Sequence, residues 1–569
     1  MPAPRLAVLR AAAQVLHAAA QVNAAPQQPS APWRARATPR QGSLAPRRRS
    51  STPWRNPPTP WRRSTPAGSG RLRRGAGDLR GGVRDLRHGA GSQLPGGHRL
   101  RPGVVAQRQA SRWPHLGRAH RRLHLPLQCS PMTTHAPWRP LLTGELADRA
   151  MEAVLAIAED IPVRPGWLHP LVGESHAAAW RGSLASGAAG QALFYAYLAL
   201  HTQEERYADL ALERLDQAAE AVAASPMSES LYSGFTGVAW VGDHLRGRLF
   251  EGEADENREV DEALLSAFAH SGWPADYDLI NGLVGLGIYA LEGLPRPTAR
   301  ALLDKVVARL GERALEEPEG ATWFSPPETL PEHQRAEQPG GLYNLGASHG
   351  MAGVLGILGA AHGAGIAGAR PLLDRAMAWY GARRLPAEAG CAFPHFYVPN
   401  VELRGSRLAW CYGDPGVAAA LHVAGRGAGE PAWEKLALEV ARAAAARPTE
   451  TSRIQDAGLC HGAGGVAHLF HRLYSATGEE VLADAARLWY AKTLDYRIPG
   501  LGFGGFRAWS TGLGDDLDWC DDPGLLEGSA GVGLALLAAV SPVEPAWDRL
   551  FLASVRHEPA VISPMNSSR

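Results

Sequence analysis

Seven times along the chain, two glycines three residues apart open a helix-length run that is apolar at nearly every position. The runs are SGAAGQALFYAYLAL, SGFTGVAWVGDHL, NGLVGLGIYAL, HGMAGVLGILGAA, YGDPGVAAALHVA, HGAGGVAHLFHRL and EGSAGVGLALLAAV, with leading glycines at 187, 234, 282, 350, 413, 462 and 528. Between them lie stretches of the opposite kind. In 204–225, 298–317, 371–385 and 481–494, Leu, Val and Ala recur every three or four residues, and Glu and Arg take the other face. A helix apolar all round has to be buried, and an amphipathic helix can cover it. The pattern predicts seven inner helices ringed by seven outer ones. One glycine pair would be chance in a chain with 64 glycines. Seven pairs, each ahead of an apolar run, form a repeat.

Such an array stays open as a solenoid or closes into a barrel. The glycines favour closure. Small residues at the start of each inner helix let neighbouring backbones approach, and glycine accepts turn dihedrals that other residues resist. In a closed ring all seven turns meet at one end, around the axis. Side chains beside the turns then converge on one cavity, although they lie far apart in sequence.

Charge divides the chain. Residues 1–131 hold 24 Arg, no Lys, two Asp and no Glu, whereas the remainder holds 34 basic and 54 acidic residues, so the overall +2 is a cancellation. The first segment is rich in Arg, Pro, Gly, Ser and Ala without sustained apolar periodicity, the composition of a disordered extension. Three readings suit it: a basic nucleic-acid arm, a transit-like leader in MPAPRLAVLRAAAQVLHAAA, and a wrongly assigned start. The last is preferred, because ordinary protein composition begins at Met132. Residues 132–569 are then the globular domain, and no nucleic-acid partner is expected. No run in that domain is long and apolar enough to span a membrane. The cysteines at 129, 391, 411, 460 and 520 contain no CxxC pair, which favours reduced thiols and a cytoplasmic location over disulfides.

Four turns have chemically distinctive neighbours. Asp278 stands in YDLINGLVG, His349 in GASHGMAG, Arg407, Cys411 and Tyr412 in SRLAWCYGDPG, and Cys460 with His461 in GLCHGAGG. Ser186, Ser233 and Glu527 precede the other three. Zinc takes thiolate and imidazole ligands, and a catalytic site uses three of them with a fourth position open. Cys411, Cys460 and His461 offer that set, and at a turn entering a helix the adjacent Cys460 and His461 can aim at one ion. Two buried thiols acting as small hydrophobes, beside a satisfied histidine, would produce the same sequence. Asp414 and Pro415 suit a turn-shaping role, and Cys391 and Cys520 are given none.

Together WCYGDPG, CHGAGG and SHGMAG resemble the lanthionine synthetase C-like family, the lanthipeptide cyclases, and the resemblance covers nearly all of 140–540 through the seven turns. It implies an all-α fold, a double-layered α/α toroid. It implies Zn2+ held by Cys411, Cys460 and His461, and active-site roles for Asp278, His349, Arg407 and Tyr412. The implied substrate is a dehydrated ribosomal precursor peptide, in which a cysteine thiol adds to dehydroalanine or dehydrobutyrine to form a thioether ring. His349 then serves as the acid that protonates the enolate or the base that takes the thiol proton. Asp278 orients a histidine, Arg407 stabilises enolate charge or holds its loop, and Tyr412 donates a hydrogen bond or lines the wall.

The Arg-rich extension has no family counterpart and is too short for a fused dehydratase. A separate dehydratase is therefore expected, and an export transporter is the other partner considered. The Pro- and Glu-rich spacer 318–345 is expected to be a plain loop rather than an excursion that touches substrate. Prenyltransferase β subunits, whose zinc sets include a carboxylate, and carbohydrate-active α/α barrels, which use paired carboxylates, fit the Cys-Cys-His set less well. A non-cyclase relative that keeps the zinc and binds peptide or glutathione is the alternative reading.

Overall fold

Each glycine pair opens a helix, and inner and outer helices alternate along the chain, with an extra short helix at Glu174–Gly182 that is left unnumbered. The computed structural model describes residues 137–555 apart from 165–166, 170–171, 253–255, 271–272, 274–275 and 512–516. The Arg-rich extension and the start at Met132 lie outside the described residues. Numbered in chain order, the odd helices are outer: α1 (Gly144–Val163), α3 (Glu205–Ala224), α5 (Arg258–Ala267), α7 (Pro297–Arg313), α9 (Ala369–Gly381), α11 (Pro431–Ala445) and α13 (Glu480–Asp495). The even ones are inner: α2 (Ala188–Thr202), α4 (Phe235–Leu245), α6 (Leu283–Glu292), α8 (Met351–Gly363), α10 (Asp414–Ala428), α12 (Ala463–Thr477) and α14 (Ser529–Val540).

Inner helices pack on one another in the order α2, α4, α6, α8, α10, α12, α14, and α14 returns to α2, so the ring is closed. Every residue of α8 from Met351 to Ala361 is buried, as is every residue of α14 from Ser529 to Ala539. Outer helices bury one stripe. In α7 the stripe is Ala299, Leu302, Leu303, Val306, Val307 and Leu310, the three-and-four spacing of an amphipathic helix. Most outer helices cover the inner helix that precedes them; α5 packs on α7 and is tied to α4 through Asn257 Nδ2 donating to Ala239 O at 2.8 Å. The partner of the last inner helix is the first outer one, α1. Backbone N–H groups of Leu141 and Leu142 donate to Ala539 O at 2.8 and 3.0 Å, and Trp138 Nε1 donates to Ala538 O at 3.0 Å. The fold is thus the double-layered toroid, all-α apart from three two-stranded ribbons.

Two local expectations change. The helix expected over 298–317 stops at Arg313, with Ala314 extended, and Pro318 holds Glu317 out of the α region. Residues Leu315–Glu317 (β1) instead pair with Gly320–Thr322 (β2), and Gly320, at φ +141°, closes the hairpin. The spacer 318–345 is more than a loop. It holds β2, a helix at Glu332–Glu337 and Tyr343–Asn344 (β3), which pairs with Phe396–Tyr397 (β4).

The paired glycines are needed for space rather than for unusual dihedrals. All seven leading glycines have extended backbone, with φ between −94° and −161°. A methyl group on the second glycine of any pair would lie 1.9–2.5 Å from the carbonyl oxygen six residues earlier. That contact folds each approach strand tightly over its own helix start and exposes the turn to its neighbour. Hydrogen bonds then link turn to turn. Leu279 N donates to Ser348 O (3.0 Å), Ala347 N to Cys411 O (2.9 Å), Trp410 N to Cys460 O (3.0 Å), Cys460 N to Leu526 O (2.9 Å), Leu525 N to Ala185 O (2.8 Å) and Ala185 N to Tyr232 O (2.9 Å).

The chain ends its described course inside the ring. A 3-10 turn at Ala546–Phe551 is buried there, with Tyr232 Oη donating to Leu550 O (3.1 Å) and Trp410 Nε1 to Phe551 O (2.9 Å). Tyr232 precedes the second turn and Trp410 the fifth, so this segment bridges the ring beneath the turns. Asp548 receives Arg472 Nε at 2.6 Å, and Arg549 Nη1 lies 3.1 Å from Glu292.

Gly465→Ala should destabilise the protein by about 1–3 kcal/mol, the range for overpacking a filled site, because its methyl would meet Leu459 O at 1.9 Å. Gly242→Ala, in α4 with nothing within 4 Å of the added methyl, should stabilise it by about 0.5–1 kcal/mol through backbone entropy. Urea unfolding of the two variants checks the opposite signs; equal shifts would refute the close-approach account.

Candidate metal centre

The linked turns bring the distinctive residues together in ring order. Trp410 N and Cys411 N both donate to Cys460 O, at 3.0 and 3.3 Å, so turns five and six lie side by side. The ligand atoms of Cys411, Cys460 and His461 all fall within 4.8 Å of one another, the one such group of three or more among the described residues. All four described cysteines are free, and Cys411 and Cys460 are buried.

The local design repeats. Six residues before the leading glycine, a short polar side chain accepts the backbone N–H two residues on. It does so at Ser228 (3.4 Å), Asp276 (3.4 Å), Asn344 (3.1 Å), Asp456 (3.1 Å) and Asp522 (2.6 Å). In the fifth turn that place belongs to Arg407, whose Nη2 donates instead to Cys411 Sγ at 3.5 Å. Asp414 is a turn former: its carboxylate accepts Ala392 N at 2.7 Å and Phe393 N at 3.2 Å, while Pro415 sits in the first turn of α10.

Three donors so close hold each other through protons. A hydrogen bond from the Cys460 thiol, aided by the charges of Arg407 and His461, keeps the Cys411 thiol well below the ordinary range despite burial. Cys460 is pushed up by the same hydrogen bond and by burial. Burial disfavours charge on His461, but its hydrogen bond to Cys411 outweighs this and lifts it to about 9. A dication fits where these shared protons now sit. Zinc binds sulfur and imidazole nitrogen at about 2.0–2.3 Å, so small side-chain rotations bring all three groups to one ion. Metal uptake would release the protons.

Next along the ring is an acid–base pair. Asp278, 3% exposed, is hydrogen-bonded through Oδ2 to His349 Nδ1 and accepts Asn281 N at 2.7 Å through Oδ1. The His349 side chain keeps 37% of its surface open. Burial opposes its charge, but the hydrogen bond and charge of Asp278 prevail and hold its pKa above the usual imidazole value. Tyr412 stacks near it, ring centroids 6.0 Å apart and planes 21° from parallel. Burial keeps Tyr412 a neutral phenol, and its hydroxyl is held by Asn344 Nδ2 at 3.4 Å and by Gln334.

The geometry therefore gathers Asp278 with His349, His349 with Tyr412, and Arg407 with Cys411, Cys460 and His461. Sequence reasoning missed Asn344 and Gln334, which come from the spacer 318–345. It also missed that Glu527 lies with Oε1 4.0 Å from His461 Nδ1, fixed by Ser510 Oγ at 2.9 Å. The signal for Asn344 was present: it is one of the polar residues six places ahead of a leading glycine.

Among solved structures, a nisin cyclase shares this fold, with a TM-score of 0.54 at 20% identity over 66% of this chain and 92% of that one. A sugar epimerase from a ruminal bacterium aligns at a TM-score of 0.37 and 12% identity, over 69% of this chain and 98% of that one. The family model described as lanthionine synthetase C-like protein matches residues 178–552, from just before the first turn to the segment inside the ring. The chain belongs to the lanthionine synthetase C-like family.

Proposed function

We propose that the protein is a zinc-dependent lanthipeptide cyclase acting in the cytoplasm on a ribosomal peptide already dehydrated by a separate enzyme. The observation that carries this reading is the meeting of the Cys411–Cys460–His461 donor set with the Asp278–His349 pair, four turns contributing to one end of the ring. Nisin cyclase, by its name, closes rings in a peptide, which supports the same substrate class here.

In the reaction, the S–H bond of a peptide cysteine and the π bond of a dehydroamino acid are broken. A C–S bond forms at the β-carbon and a C–H bond at the α-carbon. Zinc, held by Cys411, Cys460 and His461, would supply a positive centre that keeps an incoming thiol ionised near neutral pH. Arg407 is assigned to the Cys411 sulfur on which it donates, holding that side chain and offsetting its charge. His349 is the group that moves protons: Asp278 fixes its Nδ1 and the side chain is partly exposed, so the imidazolium protonates the α-carbon. Tyr412, neutral and held by Asn344, donates to the enolate oxygen.

Cys411→Ala protein should lack stoichiometric zinc by elemental analysis and close rings at least about 10²-fold more slowly; full-rate closure without metal would overturn the assignment. His349→Ala should keep its zinc and lose about 10²–10⁴-fold in rate, the span of general acid–base catalysis. In Asp278→Asn the sign is fixed by the raised pKa of His349. Removing the charge lowers that pKa, so the fall in rate as the acid deprotonates moves to lower pH. A pH–rate profile with an unmoved alkaline limb would take His349 out of the acid role.

A further inference from the structure

A cavity of about 360 Å³ opens beside the first and last turns, outside the ring they form. Ser186 of the first turn lines it, and none of the metal-centre residues does. Trp167 and Trp180, ring centroids 5.4 Å apart, form a wall. Its charge is one-sided, with Arg164, Arg181 and Arg214 against a single carboxylate, Glu220. Arg164 is matched with Asp521 at 2.8 Å, and Arg181 is exposed. Arg214 differs from both. It is 7% exposed, and among the described residues its guanidinium makes one hydrogen bond, Nη1 to Gln217 Oε1 at 2.9 Å, while Nε is buried without a partner. Gln191, 9% exposed, lines the same cavity, and its side-chain amide has no hydrogen bond among the described residues. A buried charge without a counter-ion is costly. Unanswered donors in an open cavity point to a ligand that answers them.

We propose that this cavity binds an acidic side chain of the peptide substrate, its carboxylate against Arg214 and Gln191 and a neighbouring apolar residue against the two tryptophans. The proposal rests on the cyclase reading and adds a grip on the peptide away from the reacting groups. A guanidinium presents planar, forked donors that match a carboxylate. The sixth and first turns are two inner-helix spacings apart, on the order of 20 Å at about 8–10 Å each. Roughly six residues of extended chain cover that distance, so a peptide held here can deliver a cysteine to the ring axis.

The test uses a fluorescein-labelled, C-terminally amidated Gly/Ser peptide carrying Leu-Glu-Leu, with no cysteine or dehydroamino acid, and its Leu-Gln-Leu counterpart. Anisotropy titration of the full chain should show the Glu peptide binding about ten-fold tighter. Arg214→Met should abolish the preference, and Arg181→Gln, at an exposed position that folding does not need, should reduce it about three-fold. Equal binding of both peptides by the native protein, or an undiminished preference in both variants, would overturn the proposal. So would a Leu-Gln-Leu peptide with a free C-terminus binding as tightly as the Glu peptide. The readout involves neither metal nor ring closure, so a protein that fails to cyclise but keeps the preference counts against the cyclase reading alone.

Discussion

A glycine pressed onto a carbonyl six residues earlier recurs at every inner helix, and the site depends on it. The contact is too close for any side chain, and it folds each approach strand back over the helix it feeds. The backbone just ahead of the turn accepts hydrogen bonds from the start of its own helix and also bonds across to the next turn. Around most of the ring these bonds fix the relative height of neighbouring turns. That is why Cys411 and Cys460, distant in sequence, lie side by side: Cys460 O accepts two N–H groups from the fifth turn. The backbones of the three candidate donors are brought together by main-chain hydrogen bonds between turns.

That arrangement separates two kinds of electrostatics within a few residues. Around the sulfurs, Arg407 and His461 favour negative charge, which suits a cation-binding set. Around His349, a buried carboxylate favours the imidazolium. The two tendencies do not oppose each other: the Cys411 charge adds to that of Asp278 in raising the pKa of His349. The spacer contributes the third element by holding the Tyr412 hydroxyl at Asn344 and Gln334.

Much of this was legible in the sequence, and the reason is periodicity. Inner helices declare themselves by being apolar on all sides, outer ones by a stripe, and the residues beside each glycine pair by their register. The two cysteines and the histidines were therefore found from spacing alone, and the family resemblance assigned their roles. Side chains delivered by segments without period were not legible. Gln334 belongs to a one-and-a-half-turn helix in a proline-rich stretch, and Phe551 to a 3-10 turn whose place inside the ring no local pattern announces. The dihedral argument for the leading glycines failed because crowding, unlike a positive φ, leaves their backbone angles ordinary. Arg407 is instructive for another reason: five turns have a short polar cap at its place, the first has Arg181, and of the two arginines only Arg407 donates to a sulfur of the donor set.

α1 meets α2 through Tyr195 Oη donating to Ala158 O at 2.8 Å, but its main cover is α14, so the first helix of the ring keeps most of its stripe unmatched until the last inner helix exists. During synthesis its apolar stripe leaves the ribosome some 366 residues ahead of its match, a wait of roughly 20–70 s at about 5–20 residues per second. Only then can Trp138 and Leu141 lock onto the far end of the chain, like the clasp of a bracelet. A nascent chain of this design carries part of that stripe uncovered for most of its translation.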